Sequence, residues 1–103
     1  MSVMPDPGKG VFGISVAAEL VGTGVQNLRA YERAGLLEPR RTPGGTRLYS
    51  SDDIERLRRI STLLNAGLNL SGVAMVLDLE LENALLRAEI DDHRRRAAEA
   101  EEG

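Results

Sequence analysis

Residues 22–37 read GTGVQNLRAYERAGLL, and the fold turns on how this stretch is parsed. Gly22, Thr23 and Gly24 interrupt helix-forming sequence, and the run behind them sets Leu28 on an apolar side and Gln26, Asn27 and Ala30 on another. Gly35 supplies the C-terminal stop. Upstream, Ala17, Leu20 and Val21 recur at helical spacing behind Ser15, whose hydroxyl suits an N-cap. The spacing predicts a first helix of about seven residues. Two short helices joined by a tight glycine turn make a helix-turn-helix candidate.

Downstream, residues 38–50 change character. Arg40, Arg41 and Thr42 precede Pro43, Gly44 and Gly45, and Thr46, Arg47, Leu48 and Tyr49 follow. Proline at a first turn position with glycine next predicts a hairpin tip, hence a two-stranded wing with arginine on both arms. Ser50 and Asp53 form an acidic variant of the capping box, opening a third helix whose apolar stripe is Ile54, Leu57, Ile60 and Leu64. Gly67 ends it, and Asn69 can cap a fourth helix in which Leu70, Val73, Val76 and Leu77 complete the core.

Beyond Asp78 the apolar pattern narrows to Leu79, Asn83, Leu86, Ile90, His93 and Ala97, alternating steps of four and three as a coiled coil requires. A stripe this narrow calls for a second copy of the chain. Asn83 on the seam costs stability but fixes register, and His93 reads as a tolerated, partly exposed ring. Glu82 with Arg87 and Glu89 with Arg94 suit parallel helices; Glu80 with Arg94 and Glu82 with Arg96 suit antiparallel ones. Leu81 and Leu85 fall outside the seam. The expected architecture is mainly α: a flexible tail over residues 1–11, a winged helix-turn-helix head with a short two-stranded wing over 12–78, and a C-terminal coiled-coil dimerisation helix over 79–103.

The net charge of −3 conceals an asymmetry. Residues 29–49 carry five arginines against two glutamates, whereas from Ala66 onward four arginines face nine acidic residues. The head is therefore the end suited to a polyanion. No cysteine and one histidine exclude a disulfide framework and make a metal site improbable, and no cofactor is expected. The absence of a phosphate-cradling glycine motif argues against an enzyme. No apolar stretch nears the roughly twenty residues of a membrane span, so a cytoplasmic protein is expected.

Gln26 and Asn27, in the first turn of the second helix, carry amides able to bond adenine bidentately, and Arg29 can reach guanine or a phosphate. Arg40, Arg41 and Arg47 on the wing are expected to neutralise phosphates, with Tyr31 and Tyr49 adding hydroxyl donors. Core filling is the plainer account of Tyr49. Arg33 is a further candidate DNA contact, with pairing to Glu32 or Glu38 as the plainer account of that residue, and Arg56, Arg58 and Arg59 read as the wet face of the third helix.

These motifs resemble the MerR family of transcription regulators from Ile14 to Leu77. The residues that carry the resemblance are Leu28 through Leu37, then Arg47-Leu48-Tyr49-Ser50 with Asp53 through Leu57, then Gly67-Leu68-Asn69-Leu70. Residues 39–47, with 14–20 before them, are most similar to the HspR-type heat-shock repressors within that family. The resemblance implies an antiparallel coiled-coil homodimer on double-stranded DNA, with the second helix, including Ala30, in a major groove and the wing on the flanking backbone. Half-sites would form an inverted repeat. Metal- and drug-sensing relatives carry a further C-terminal effector domain; none is expected here, so promoter occlusion is expected rather than activation. The heat-shock likeness implies a chaperone co-repressor. Two rival functions share these features: an excisionase-like factor that bends DNA, and a coiled-coil module that binds another protein.

Overall fold

The computed structural model describes residues 8–102, so Met1–Pro7 of the expected tail and Gly103 lie outside the described residues. The elements are α1 (Ile14–Val21), α2 (Val25–Arg33), β1 (Arg40–Arg41), β2 (Arg47–Leu48), α3 (Ser51–Asn65) and α4 (Leu70–Glu102). The expected winged helix-turn-helix with a long C-terminal helix is present.

Local chemistry sets most boundaries. The Ser50 hydroxyl accepts from the Asp53 amide at 3.0 Å while the Asp53 carboxylate accepts from the Ser50 amide at 2.9 Å, a reciprocal box that opens α3. Asn69 caps α4 by accepting from the Gly72 amide at 2.8 Å. Helix α2 ends in a Schellman motif: the Leu36 amide donates to the Tyr31 carbonyl at 2.9 Å and the Gly35 amide to that of Glu32 at 3.0 Å. Gly35 takes the left-handed conformation (φ 76°) that this closure needs. One expected cap is corrected. Helix α1 begins at Ile14 with Gly13 as its N-cap, which puts Ser15 inside the first turn, where its hydroxyl caps nothing.

The first compact unit runs to Val73. Within it α1 packs on α2 and α3, around a core of Ala17, Leu28, Leu36, Tyr49, Leu57, Ile60 and Val73, all at most 1% exposed. Along α3 the buried residues are Ile54, Leu57, Ile60 and Leu63; Leu64, expected in the stripe, is only half-buried. Both leucines are within one 100° step of the stripe axis, and the packing partner chooses between them.

The wing pairs Arg40 with Leu48 and Arg41 with Arg47, antiparallel. Its tip is a three-residue loop. The Gly45 amide closes a turn on the Thr42 carbonyl at 2.8 Å, and Thr42 and Thr46 pair beneath it. The positive φ (88°) falls on Gly45, one residue beyond the expected position, as in a type I turn followed by a left-handed bulge residue. An unforeseen third segment joins the wing: the Val11 and Phe12 amides both donate to the Tyr49 carbonyl at 3.0 Å, and the Tyr49 amide returns a bond to Phe12 at 2.7 Å. A Cβ on Gly10 would lie 2.9 Å from Leu48, so only glycine permits that approach. Residues 10 and 11 are therefore docked on the wing, a correction to the flexible tail expected over 1–11.

The second compact unit, from Ala74, is the body of α4. From residue 78 through 102 every residue but Asp92 is exposed, including Leu79, Leu81, Leu85, Leu86 and Ile90. No helix among the described residues is long and apolar enough to cross a membrane.

Candidate nucleic-acid interface

Helix α2 presents Gln26, Arg29, Ala30 and Arg33 on one stripe, at steps of three, four and seven. Gln26, Arg29 and Arg33 are exposed and Ala30 is half-buried, whereas Leu28 and Tyr31 turn into the core. Asn27 is exposed but off this stripe, and its Nδ2 donates to Thr23 Oγ1 at 2.7 Å, which orients the amide.

One residue whose role local sequence does not reveal links the wing to α2. Glu32, in the last turn of α2, accepts from Arg41 through Oε1 at 2.6 Å and from Arg47 through Oε2 at 2.5 Å. Burial raises the Glu32 carboxyl pKa, but the hydrogen bonds and charges of Arg47 and Arg41 outweigh it and hold the group below its ordinary value. Arg41 also donates to the Gly45 carbonyl at 3.2 Å, linking this ion pair to the wing tip. Glu32 thus takes two wing arginines rather than Arg33. Arg40 points to solvent on the outer strand.

Three further expectations change. Arg56 is not on a wet face: its Nε donates to the Leu36 carbonyl, fastening the loop after α2 to α3. Tyr49 is wholly buried, and its hydroxyl has no hydrogen-bond partner among the described residues, so it offers no donor to a phosphate. Burial, with the Glu32 charge nearby, pushes its phenol up and keeps it neutral. Tyr31, at 6% exposure, is likewise chiefly a core residue. An unpartnered buried hydroxyl costs stability, so Tyr49→Phe should leave the unfolding free energy unchanged or raise it by up to about 1 kcal/mol. Urea melts would check this; a loss of more than about 1 kcal/mol would mean that the hydroxyl has a partner after all.

The seam candidates Leu79, Asn83, Leu86, Ile90 and His93 are all exposed on α4. Leu79 starts the stripe, Leu86 and Ile90 stay within about 20° of it, and Leu81 and Leu85 fall on the far side of the helix at 100° per residue.

The family model for MerR helix-turn-helix regulatory proteins matches residues 12–80. A Streptomyces coelicolor protein that carries the name heat shock protein HspR is 47% identical over 79 residues, 76% of this chain and 52% of its own length. The HTH-type transcriptional repressor CarH of Myxococcus xanthus is 40% identical over 80 residues, 77% of this chain and 26% of its own. The chain thus spans about half the length of the first relative and about a quarter of the second. Among solved structures, the transcription regulator PbrR691 of Ralstonia metallidurans, crystallised with lead(II), superposes with a TM-score of 0.65 at 30% identity, covering 86% of this chain and 77% of that one. The N-terminal part of MtaN, the Bacillus subtilis multidrug transporter activator, gives 0.63 at 26% identity, covering 82% and 90%.

Proposed function

We propose, for a chain that belongs to the MerR family of helix-turn-helix regulatory proteins, the role of a dimeric, sequence-specific DNA-binding repressor. The family is one of regulators and not of enzymes. The observation that carries the reading is the exposed stripe of α2 beside an arginine-bearing wing, the two linked by ion pairs through Glu32. Helix α2 enters the major groove; Gln26 reads adenine through its amide, and Arg29 takes a guanine edge or a phosphate. Arg33 and the wing, led by the exposed Arg40, lie on the flanking backbone. Residues 12–78 serve as the DNA-binding head and residues 79–103 as the dimerisation helix. Two heads then meet an inverted repeat whose half-sites are about 34–36 Å apart, one turn of duplex.

Repression follows by occlusion of the promoter. The likeness to the heat shock protein supports control of stress genes, and a chaperone co-repressor is the partner that such control would use. The homodimer rests on the apolar seam of α4.

A duplex selected from a random library supplies the test probe, followed by fluorescence anisotropy across a salt series. Arg40→Ala should weaken all sequences alike and flatten the plot of log affinity against log salt by about 0.9 for each phosphate that the variant no longer neutralises. Gln26→Ala should instead reduce discrimination at one base pair by about 1–3 kcal/mol and leave the slope nearly intact. Wild-type protein that enriches no sequence and binds no duplex would refute the reading.

A further inference from the structure

In the wing register Arg41 stands directly opposite Arg47. Two like charges so placed destabilise a strand pair. The arrangement persists because one carboxylate lies between them and spends both oxygens on them, one per guanidinium. A guanidinium binds carboxylate and phosphate with the same planar donor geometry. Glu32 is the least accessible of the three side chains, 19% exposed, while Arg47 and Arg41 are 28% and 46% exposed. The cations can therefore be reached from solvent while their counter-ion sits behind them.

The geometry points to Glu32 as the internal counter-ion of a two-arginine anion site, a carboxylate occupying donors that a phosphate oxygen would otherwise take. It is thereby a specificity determinant: it cancels one wing charge on any DNA and leaves discrimination to α2. The DNA part of this inference rests on the function proposed above; the anion site itself does not. With Glu32 present the triad carries one net positive charge, and without it two.

The consequences can be counted. On a mixed-sequence 30-base-pair duplex, Glu32→Gln should tighten binding and steepen the salt slope by about 0.9 per head, about 1.8 for a dimer. Between 50 and 200 mM salt that amounts to roughly a tenfold larger loss of affinity than in wild type. Preference for the selected duplex over the mixed one should fall. Glu32→Gln/Arg47→Ala should return the slope to the wild-type value. In the wild-type background, Arg41→Ala and Arg47→Ala should each flatten it, and the pair together should flatten it little further, since one cation already answers to Glu32.

Inorganic sulfate serves as the DNA-free probe. Against chloride at equal ionic strength it should raise the melting temperature of Glu32→Gln more than that of wild type or of Glu32→Gln/Arg47→Ala, whose response measures the general salting-out effect of sulfate. An equal sulfate response in all three proteins would overturn the anion site. An unchanged or flatter slope in Glu32→Gln, or additive flattening by the two arginine variants, would overturn the charge-cancelling role. Failure of every protein to bind DNA, with the sulfate response intact, would instead count against the proposed function alone.

Discussion

Leu57→Ala is expected to lower the unfolding free energy by about 2–5 kcal/mol, a large share of the roughly 5–15 kcal/mol that holds a domain of this size. Leu57 is fully buried at the middle of α3, with Ile54 and Ile60 one turn to either side on the same face. Truncation removes three heavy atoms from a site walled by helix packing, and the cavity that remains adds to the lost transfer energy. At about 4–8 °C per kcal/mol for a chain of this length, the melting temperature should fall by at least about 8 °C. The measurement is urea unfolding at one fixed protein concentration, because self-association would otherwise shift the midpoint. The same series discriminates between neighbours. Leu63→Ala should cost clearly more than Leu64→Ala, since Leu63 is buried and Leu64 half-buried. The reverse order would mean that α3 is rotated by about one residue from this orientation.

That pair of leucines marks where the sequence stops being legible. Most helix ends, though not the start of α1, are readable because they are decided within a few residues: the Ser50 and Asp53 box, the Asn69 cap and the Gly35 stop are each a local hydrogen-bond problem with few solutions. The wing tip is readable to within one residue, the positive φ lying on Gly45 instead of Gly44. Which of two adjacent leucines is buried depends on what α3 leans against, and no local pattern contains that. Tyrosine is ambiguous for a related reason, as its ring fits a core and its hydroxyl fits a phosphate; Tyr49 is a core residue through its strand pairing with Phe12. That pairing joins segments far apart in sequence, one of them too short to show any period. The stripe of α2 is legible in composition, yet composition groups Asn27 with it although that residue lies to one side. Glu32 escapes notice because it is 15 residues from Arg47, and from sequence it looks like one more solvated charge beside Arg33.

Leu86→Asp is expected to give a monomer in sedimentation equilibrium and to weaken binding to a two-half-site duplex by about 10²–10⁴-fold. Leu79, Leu86 and Ile90 are between 49% and 60% exposed along one side of α4, an apolar row that a lone chain gains nothing by keeping in water. The proposed pairing with a second copy would bury it, and a carboxylate at Leu86 would then have to give up its hydration within an apolar row. The large loss in DNA affinity follows without any change in either head. Once one head is bound, linkage makes the second binding event intramolecular, and a monomer forfeits that effective concentration. A duplex with a single half-site should accordingly bind Leu86→Asp and wild type more nearly alike. Leu85→Asp is the matched control: it places the same charge on a neighbouring exposed leucine, at 63% against 51%, about 100° around the helix from Leu86. It should leave the dimer largely intact. Dissociation by Leu85→Asp and not by Leu86→Asp would move the self-pairing face to the side that carries Leu81 and Leu85. If neither variant alters sedimentation or affinity, α4 is not what joins the two heads.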